Sequence, residues 1–208
     1  MKICIHVVNV DDYFPELFEL TSKTVEKYAD KIGADINIIK ERLHPNLPPM
    51  IEKLQVYDYG MNYDWNLMMD ADILVHPNTY NPFINFDPRV VGNKDEYKAS
   101  NQLRLDKYFI RDGRNLGLSG CLLATSRLTH DVWEFPNDLT EEDILNNIHA
   151  PRKCVDEYII SRNLAKYGIK HHELFPVKDY NLMFHVGCFN EDKNQILDLA
   201  KDWFSKNM

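Results

Sequence analysis

The sequence predicts an α/β protein with a Rossmann-like, mixed but mostly parallel central sheet and flanking helices. Three observations lead there. A β-branched opening segment, Lys2 to Val10, is followed by a helical pattern over Pro15 to Ile32 and then by a short alternating segment, Asp35 to Lys40. Strand, helix and strand in that order close as a right-handed parallel βαβ unit. Further on, the apolar run Trp65 to Met69 leads directly into Asp70-Ala71-Asp72. In open α/β sheets, loops at the carboxyl ends of strands converge on ligands.

Each element has its own signal. In the first helix Leu17, Thr21, Val25, Tyr28 and Ile32 recur every three to four positions, with Asp11 or Asp12 available as cap, Pro15 in the first turn and Gly33 as the stop. The prolines Pro45, Pro48 and Pro49 mark a loop, after which Met50 to Tyr59 reads as a helix. Ile73 to Val75 is extended, and the prolines and asparagines between Pro77 and Pro88, Asn78, Asn81 and Asn85 among them, indicate turns. Leu116 to Thr125 reads as a buried strand interrupted by Gly117 and Gly120, Val155 to Tyr167 as a helix stopped by Gly168, and Ile169 to Phe175 as a strand. His171 and His172 are adjacent, so on a strand they point to opposite faces and do not chelate together. The closing helix, Gln195 to Phe204, carries Ile196, Leu199, Ala200 and Trp203 on one face.

Composition narrows the function classes. The 208 residues suit one domain with a substantial core. Hydrophobic residues at 44% and charged residues at 27% are ordinary for a folded, soluble protein. A net charge of −8 with no basic patch argues against a nucleic-acid partner. Cys4, Cys121, Cys154 and Cys188 form no CxxC pair and read as reduced packing residues of an intracellular protein. The N-terminus is interrupted by His6 and Asn9 and lacks a cleavage site, so it reads as a buried strand rather than a signal peptide. No run approaches the roughly 20 apolar residues of a transmembrane helix. The expectation is a cytoplasmic protein.

The chemistry concentrates at Asp70 and Asp72. Two carboxylates one residue apart on an extended strand share a side and reach one hard cation. Their neighbours Leu67, Met68, Met69, Ile73, Leu74 and Val75 are apolar, and burying two anions there costs several kcal/mol each unless a cation or donors compensate. Asp-x-Asp alone is a weak motif, and a structural pair of acids is its ordinary meaning.

A wider pattern surrounds the pair. Ile51-Glu52-Lys53-Leu54, followed by Met69-Asp70-Ala71-Asp72-Ile73-Leu74-Val75, resembles the donor-site core of the glycogenin-like GT-A glycosyltransferases. The likeness extends over most of the chain and includes the small virus-encoded GT-A domains of algal viruses. It implies a GT-A fold in a single domain over 1–208, with a nucleotide-binding part over about 1–76 and a sugar and acceptor part over about 77–208. It implies transfer of a hexosyl or deoxyhexosyl unit from a UDP-sugar to a glycan or small hydroxyl acceptor, and leans to retention of configuration.

Residue by residue, the resemblance places Val8, Asn9 and Tyr13 at the base and ribose, and Lys53, Asp70, Ala71, Asp72 and Gly187 around the diphosphate. Ser119 and Gly120 match the strand beside the sugar, and Asp156 and Glu157 match the family's Asp-Gln and are the catalytic candidates. Asp70, Asp72 and His185 would hold Mn²⁺ or Mg²⁺. Two departures stand out. Leu118 occupies the position of the family's asparagine, and the lysine-proline-tryptophan after the late histidine is missing, which leaves Lys53 and Lys193 as candidates for the second phosphate contact. A chain this short leaves room for an acceptor bound in part by another domain of a larger enzyme.

Each assignment has a plainer counterpart. Lys53 reads equally as a solvated helix lysine, Tyr13 as a core cap, His185 as a hydrogen-bonded core histidine, and Asp156-Glu157 as an acidic helix start. Two other functions also remain open. A haloacid dehalogenase-type phosphatase uses Asp-x-Asp after a strand, although its motif normally opens the fold, and turnover of a phosphate monoester would reveal it. A catalytically inactive nucleotide-sugar or carbohydrate-binding module would bind UDP without transfer.

Overall fold

The computed structural model describes residues 1–94, 108, 118–146, 155–175, 182–188 and 192–208. The chain opens with β1 (Ile3–Val8), α1 (Pro15–Ile32) and β2 (Ala34–Ile39). A 3₁₀ helix (Pro49–Gln55) runs into α2 (Val56–Tyr59), and β3 (Trp65–Asp70) and β4 (Ile73–Val75) follow. After them come β5 (Val90–Asn93), β6 (Leu122–Ser126), a 3₁₀ helix (Arg127–Trp133) and α3 (Glu141–Asn146). The remainder is α4 (Val155–Tyr167), β7 (Lys170–Glu173), β8 (Met183–His185) and α5 (Lys193–Asn207).

Six strands form one sheet in the order β2-β1-β3-β6-β5-β7, and β4 pairs with β8 in a second. β1 is parallel to both β2 and β3, and β5 to β7, while β6 runs against β3 and β5. Five strands therefore point one way and β6 alone is reversed. Alternation along each strand divides the core. Ile3, Ile5 and Val7 with Leu67 and Met69 face α1 residues such as Val25 and Tyr28. Met68 and Leu123 pack on the opposite side with Ile51 and Leu54 of the 3₁₀ helix, Trp133, and Ile159 of α4. A third cluster joins α1 to α5 through Leu17, Leu74, Val186, Ile196 and Ala200.

The helices α1 and α4 have the bounds that the periodicity predicts, and both are stopped by glycines with φ near +66°, a conformation that disfavours a Cβ. Several expectations need correction. Neither Asp11 nor Asp12 caps α1: the N-cap is Phe14 without a side-chain bond, and both acids lie in a positive-φ turn. Met50 to Tyr59 begins within a 3₁₀ helix, in which Glu52, fully buried, accepts bonds from Arg42 Nε, the Leu43 and His44 amides and Gln55 Nε2. That carboxylate ties the preceding loop onto the helix. The strand expected from Leu116 begins only at Leu122; residues 116 and 117, like Cys154, lie outside the described residues, and Leu118 to Cys121 are irregular. β5 carries no separate sequence signal beyond its two valines. Asn81 does serve a turn, accepting from the Phe83 amide. No helix among the described residues is long and apolar enough to cross a membrane.

One buried polar chain crosses β1, β2 and β3. His6 is fully buried, its Nε2 2.9 Å from Asn66 Oδ1 and its Nδ1 3.2 Å from Asn37 Nδ2, and Asn66 Nδ2 donates to Gly60 O at 3.1 Å. A neutral ring with the proton on Nε2 satisfies every atom. Burial pushes the imidazole from 6.5 down to about 4, against the opposing hydrogen bond of Asn66. Because the folded state resists protonation, stability is complete above about 6.5 and declines as pH falls towards about 4. The loss reaches about 3 kcal/mol at one pKa unit per 1.36 kcal/mol. Urea unfolding at a series of pH values should follow that slope, and the His6 imidazole resonances should stay neutral to near pH 4; titration of His6 near 6.5 would refute the assignment.

Candidate functional site

The site assembles where the carboxyl ends of β1 and β3 meet the start of β6. Asp70 is the last residue of β3, and its amide donates to Cys121 O at 2.9 Å. The chain then turns, so Asp72 reaches its place through a turn rather than by strand alternation, which corrects the reason for expecting both acids on one side. The turn delivers β4 to the small sheet, where Ile73 lies opposite His185 and the Val186 amide donates to Asp72 O at 3.1 Å.

This pairing brings together three residues that are distant in sequence. His185 Nε2 is 3.0 Å from Asp72 Oδ1 and 3.9 Å from Asp70 Oδ2. Asp70, Asp72 and His185 each offer one atom such that all lie within 4.8 Å of one another. Ligands held at about 2.1 Å from a common cation stand about 3 to 4 Å apart, so small side-chain adjustments suffice. The side chains are 24%, 15% and 12% exposed, open enough to admit an ion. Gly187 keeps the space clear: a Cβ there would collide with Asp72 Oδ2. Two carboxylates and an imidazole are a donor set that can hold a divalent cation.

Behind the acids stands Lys53, whose side chain is 7% exposed. It has three N–H donors, and Asp70 Oδ1 at 2.6 Å, Asp156 Oδ2 at 2.8 Å and Gly120 O at 3.0 Å are its acceptors. Burial alone would lower its pKa, but Asp156 and Asp70 hold it well above the ordinary lysine range. Burial raises Asp70, opposed by Lys53 and reinforced by Asp72, with a net upward shift. Burial pushes Asp72 up as well, yet the hydrogen bond and charge of His185 bring it below the ordinary range. A carboxylate raised by burial and by a neighbouring carboxylate is relieved by a cation.

The other predicted residues surround this core. Glu157 Oε1 accepts from the Gly120 amide at 2.9 Å, and Gly120 has no room for a side chain, since its Cβ would meet Asp156 Oδ2 at 2.7 Å. Ser119 is fully buried, with Oγ 3.3 Å from Cys121 Sγ, and Leu118 turns into the core. Val8 lies opposite Asp70 in register, and the Asn9 amide donates to Ile39 O at 2.9 Å. Tyr13 is 56% exposed and is no core cap. Partial burial and the charges of Asp72 and Asp70 raise its phenol. Lys193, at the start of α5, donates to Tyr13 O at 3.1 Å with Nζ 5.3 Å from the Tyr13 ring centre. His171 and His172 lie on the edge strand β7, outside this cluster.

Thr21 is the participant that sequence reading missed: it appeared only as an inward position of α1, yet its hydroxyl donates to Ala71 O at 2.6 Å. Polar residues on two successive inward positions, Thr21 and Thr24, were the available signal.

The sequence matches no family model and no curated protein. Among solved structures the chain is similar to a glycosyltransferase involved in the glycosylation of the major capsid of PBCV-1, with a TM-score of 0.59 and 14% identity over 97% of this chain and 100% of that one. It is similar to the galactosyltransferase LgtC in complex with donor and acceptor sugar analogues, at a TM-score of 0.56 and 12% identity over 97% and 96%. It is also similar to the glycosyltransferase GlyE of Streptococcus pneumoniae TIGR4, at 0.52 and 14%, where 99% of this chain spans 64% of the other. At these identities the likeness is one of fold, and the fold this chain adopts is that of the GT-A glycosyltransferases.

Proposed function

We propose that this protein is a metal-dependent glycosyltransferase that moves a hexosyl or deoxyhexosyl unit from a UDP-sugar to a hydroxyl of a glycan or small acceptor. The observation that carries the reading is the Asp70, Asp72 and His185 cluster beside Lys53, at the strand ends of a glycosyltransferase fold. The haloacid dehalogenase alternative fits less well, because its acidic pair normally opens the fold and here it ends the third strand. In this reading residues about 1–76 hold the nucleotide and about 77–208 the sugar and acceptor.

In transfer the bond from the anomeric carbon to the β-phosphate oxygen breaks, the acceptor oxygen bonds to that carbon, and the acceptor proton is released. Bound Mn²⁺ or Mg²⁺ would act as a Lewis acid towards the leaving diphosphate. Asp70, Asp72 and His185 would hold the ion, with a neutral imidazole limiting the negative charge beside two phosphates. Lys53 is occupied by three acceptors, which supports an electrostatic role behind Asp70 rather than a direct phosphate contact. Lys193, at the surface beside Tyr13, is the better candidate for that contact. Asp156, bonded to Lys53 and 3% exposed, suits an electrostatic partner of the oxocarbenium-like sugar more than a base. Glu157 would steady Gly120 against the sugar, with Ser119 beside it.

Three experiments test the reading. UDP and the acidic pair repel one another, so calorimetry should show UDP affinity with Mn²⁺ that collapses in EDTA, and Asp72→Asn should abolish most transfer while the fold persists. Equal affinity without metal would sink the proposal. Tyr13→Ala should weaken UDP by about 1 to 3 kcal/mol through lost stacking while Tyr13→Phe is nearly silent; unchanged affinity in the alanine variant would remove Tyr13 from the base site. Lys53→Met leaves Asp70 and Asp156 without their cation and should destabilise the metal-free protein by about 3 to 5 kcal/mol in urea unfolding. Adding Asp156→Asn should recover part of that loss, and a Lys53→Met variant as stable as the parent would contradict the ion-pair account.

A further inference from the structure

We propose that Thr21 is a positioning residue for the metal site, holding the Asp70-Ala71-Asp72 turn from behind through one hydrogen bond from α1. The inference rests on the proposed metal site.

Within the turn, three backbone groups are pinned by three separate elements. The Asp70 amide is held by Cys121 O ahead of β6, the Asp72 carbonyl by the Val186 amide after β8, and the Ala71 carbonyl by the Thr21 hydroxyl at 2.6 Å. The Ala71 carbonyl belongs to the peptide plane that joins Ala71 to Asp72, so its direction bears on how the Asp72 side chain leaves the backbone. A helical threonine ordinarily bonds back to its own helix. Here the Phe18 carbonyl is farther away, at 3.3 Å, and the shorter bond goes to the turn.

Packing constrains the turn only in part, since Ala71 is partly buried at the edge of the core on the α1 side. Behind the turn, between α1 and β1-β2, lies a cleft of about 240 Å³ whose walls include Val7, Phe18, Ile38, Asp70 and Ala71. A close-packed interior would fix the turn by contact. Beside this cleft the Thr21 hydroxyl, on a residue only 2% exposed, bonds the Ala71 carbonyl directly. Thr24, one turn later on α1, bonds a different target: its Oγ1 accepts from the Val75 amide at 3.0 Å and donates to Thr21 O at 2.7 Å. It anchors β4 rather than the Ala71–Asp72 peptide, so the two threonines separate positioning of the ligands from general docking of α1.

The test uses Mn²⁺ alone, with free ion followed by its electron paramagnetic resonance signal, alongside the melting temperature in EDTA. Thr21→Val keeps the shape and removes the donor. Loss of an outer-shell partner typically weakens metal affinity by about tenfold or more, and that is the expected rise in the Mn²⁺ dissociation constant. Thr21→Ser restores the hydroxyl and should return the affinity close to that of the parent. Thr24→Val should lower the melting temperature yet leave Mn²⁺ affinity near the parent value. The inference is overturned if Thr21→Val binds Mn²⁺ as tightly as the parent, whatever its stability, or if Thr24→Val weakens binding equally. A parent protein that binds no Mn²⁺ would instead overturn the metal-site reading itself.

Discussion

The site depends on one buried ammonium. Lys53 lies between Asp70 and Asp156, and its three bonds connect the 3₁₀ helix, the end of β3, the start of α4 and the segment leading into β6. Burying a lone charge costs several kcal/mol, so the three groups are stable only together. The arrangement has a further consequence for charge. With Lys53 and Asp156 largely offsetting one another, Asp70 and Asp72 remain as an acidic pair open to solvent on one side and backed by His185 on another. A divalent cation would complete that balance, and a diphosphate would in turn share the cation.

The second constraint is geometric. Strand β3 ends at Asp70, and a chain that continued straight would carry Asp72 away from it. The turn instead passes the chain into a two-stranded sheet, and the antiparallel register of β4 with β8 sets His185 opposite Ile73. Small residues keep this junction open. Ala71 sits between the acids, Gly187 lies where a side chain would strike Asp72, and Gly120 lies where one would strike Asp156. The backbone approaches closely because nothing larger fits.

The polar side chains away from the site serve the same scaffold. Glu52 gathers four donors and so fixes the loop after β2 against the helix that bears Lys53. Arg42 extends that network to Asp11, in the positive-φ turn between Asn9 and Tyr13. The proposed nucleotide-binding loop and the lysine behind the acids are thereby parts of one hydrogen-bonded frame.

Local periodicity determined much of this protein by itself. The helices Pro15–Ile32 and Val155–Tyr167, each stopped by a glycine, and the first three parallel strands follow from side-chain spacing and turn chemistry, which act within a few residues. The acidic pair was legible because two charges in an apolar run are costly wherever the chain goes. What sequence alone could not decide is everything that depends on contact between distant segments. That Lys53 bonds two carboxylates and a carbonyl, that Glu157 serves the Gly120 amide, and that Thr21 bonds Ala71 more closely than its own helix are choices among many polar groups of equal local preference. The reversed strand β6 and the small β4-β8 sheet are likewise tertiary outcomes, because strand direction and partner are set by which buried faces and backbone donors meet once the chain has closed.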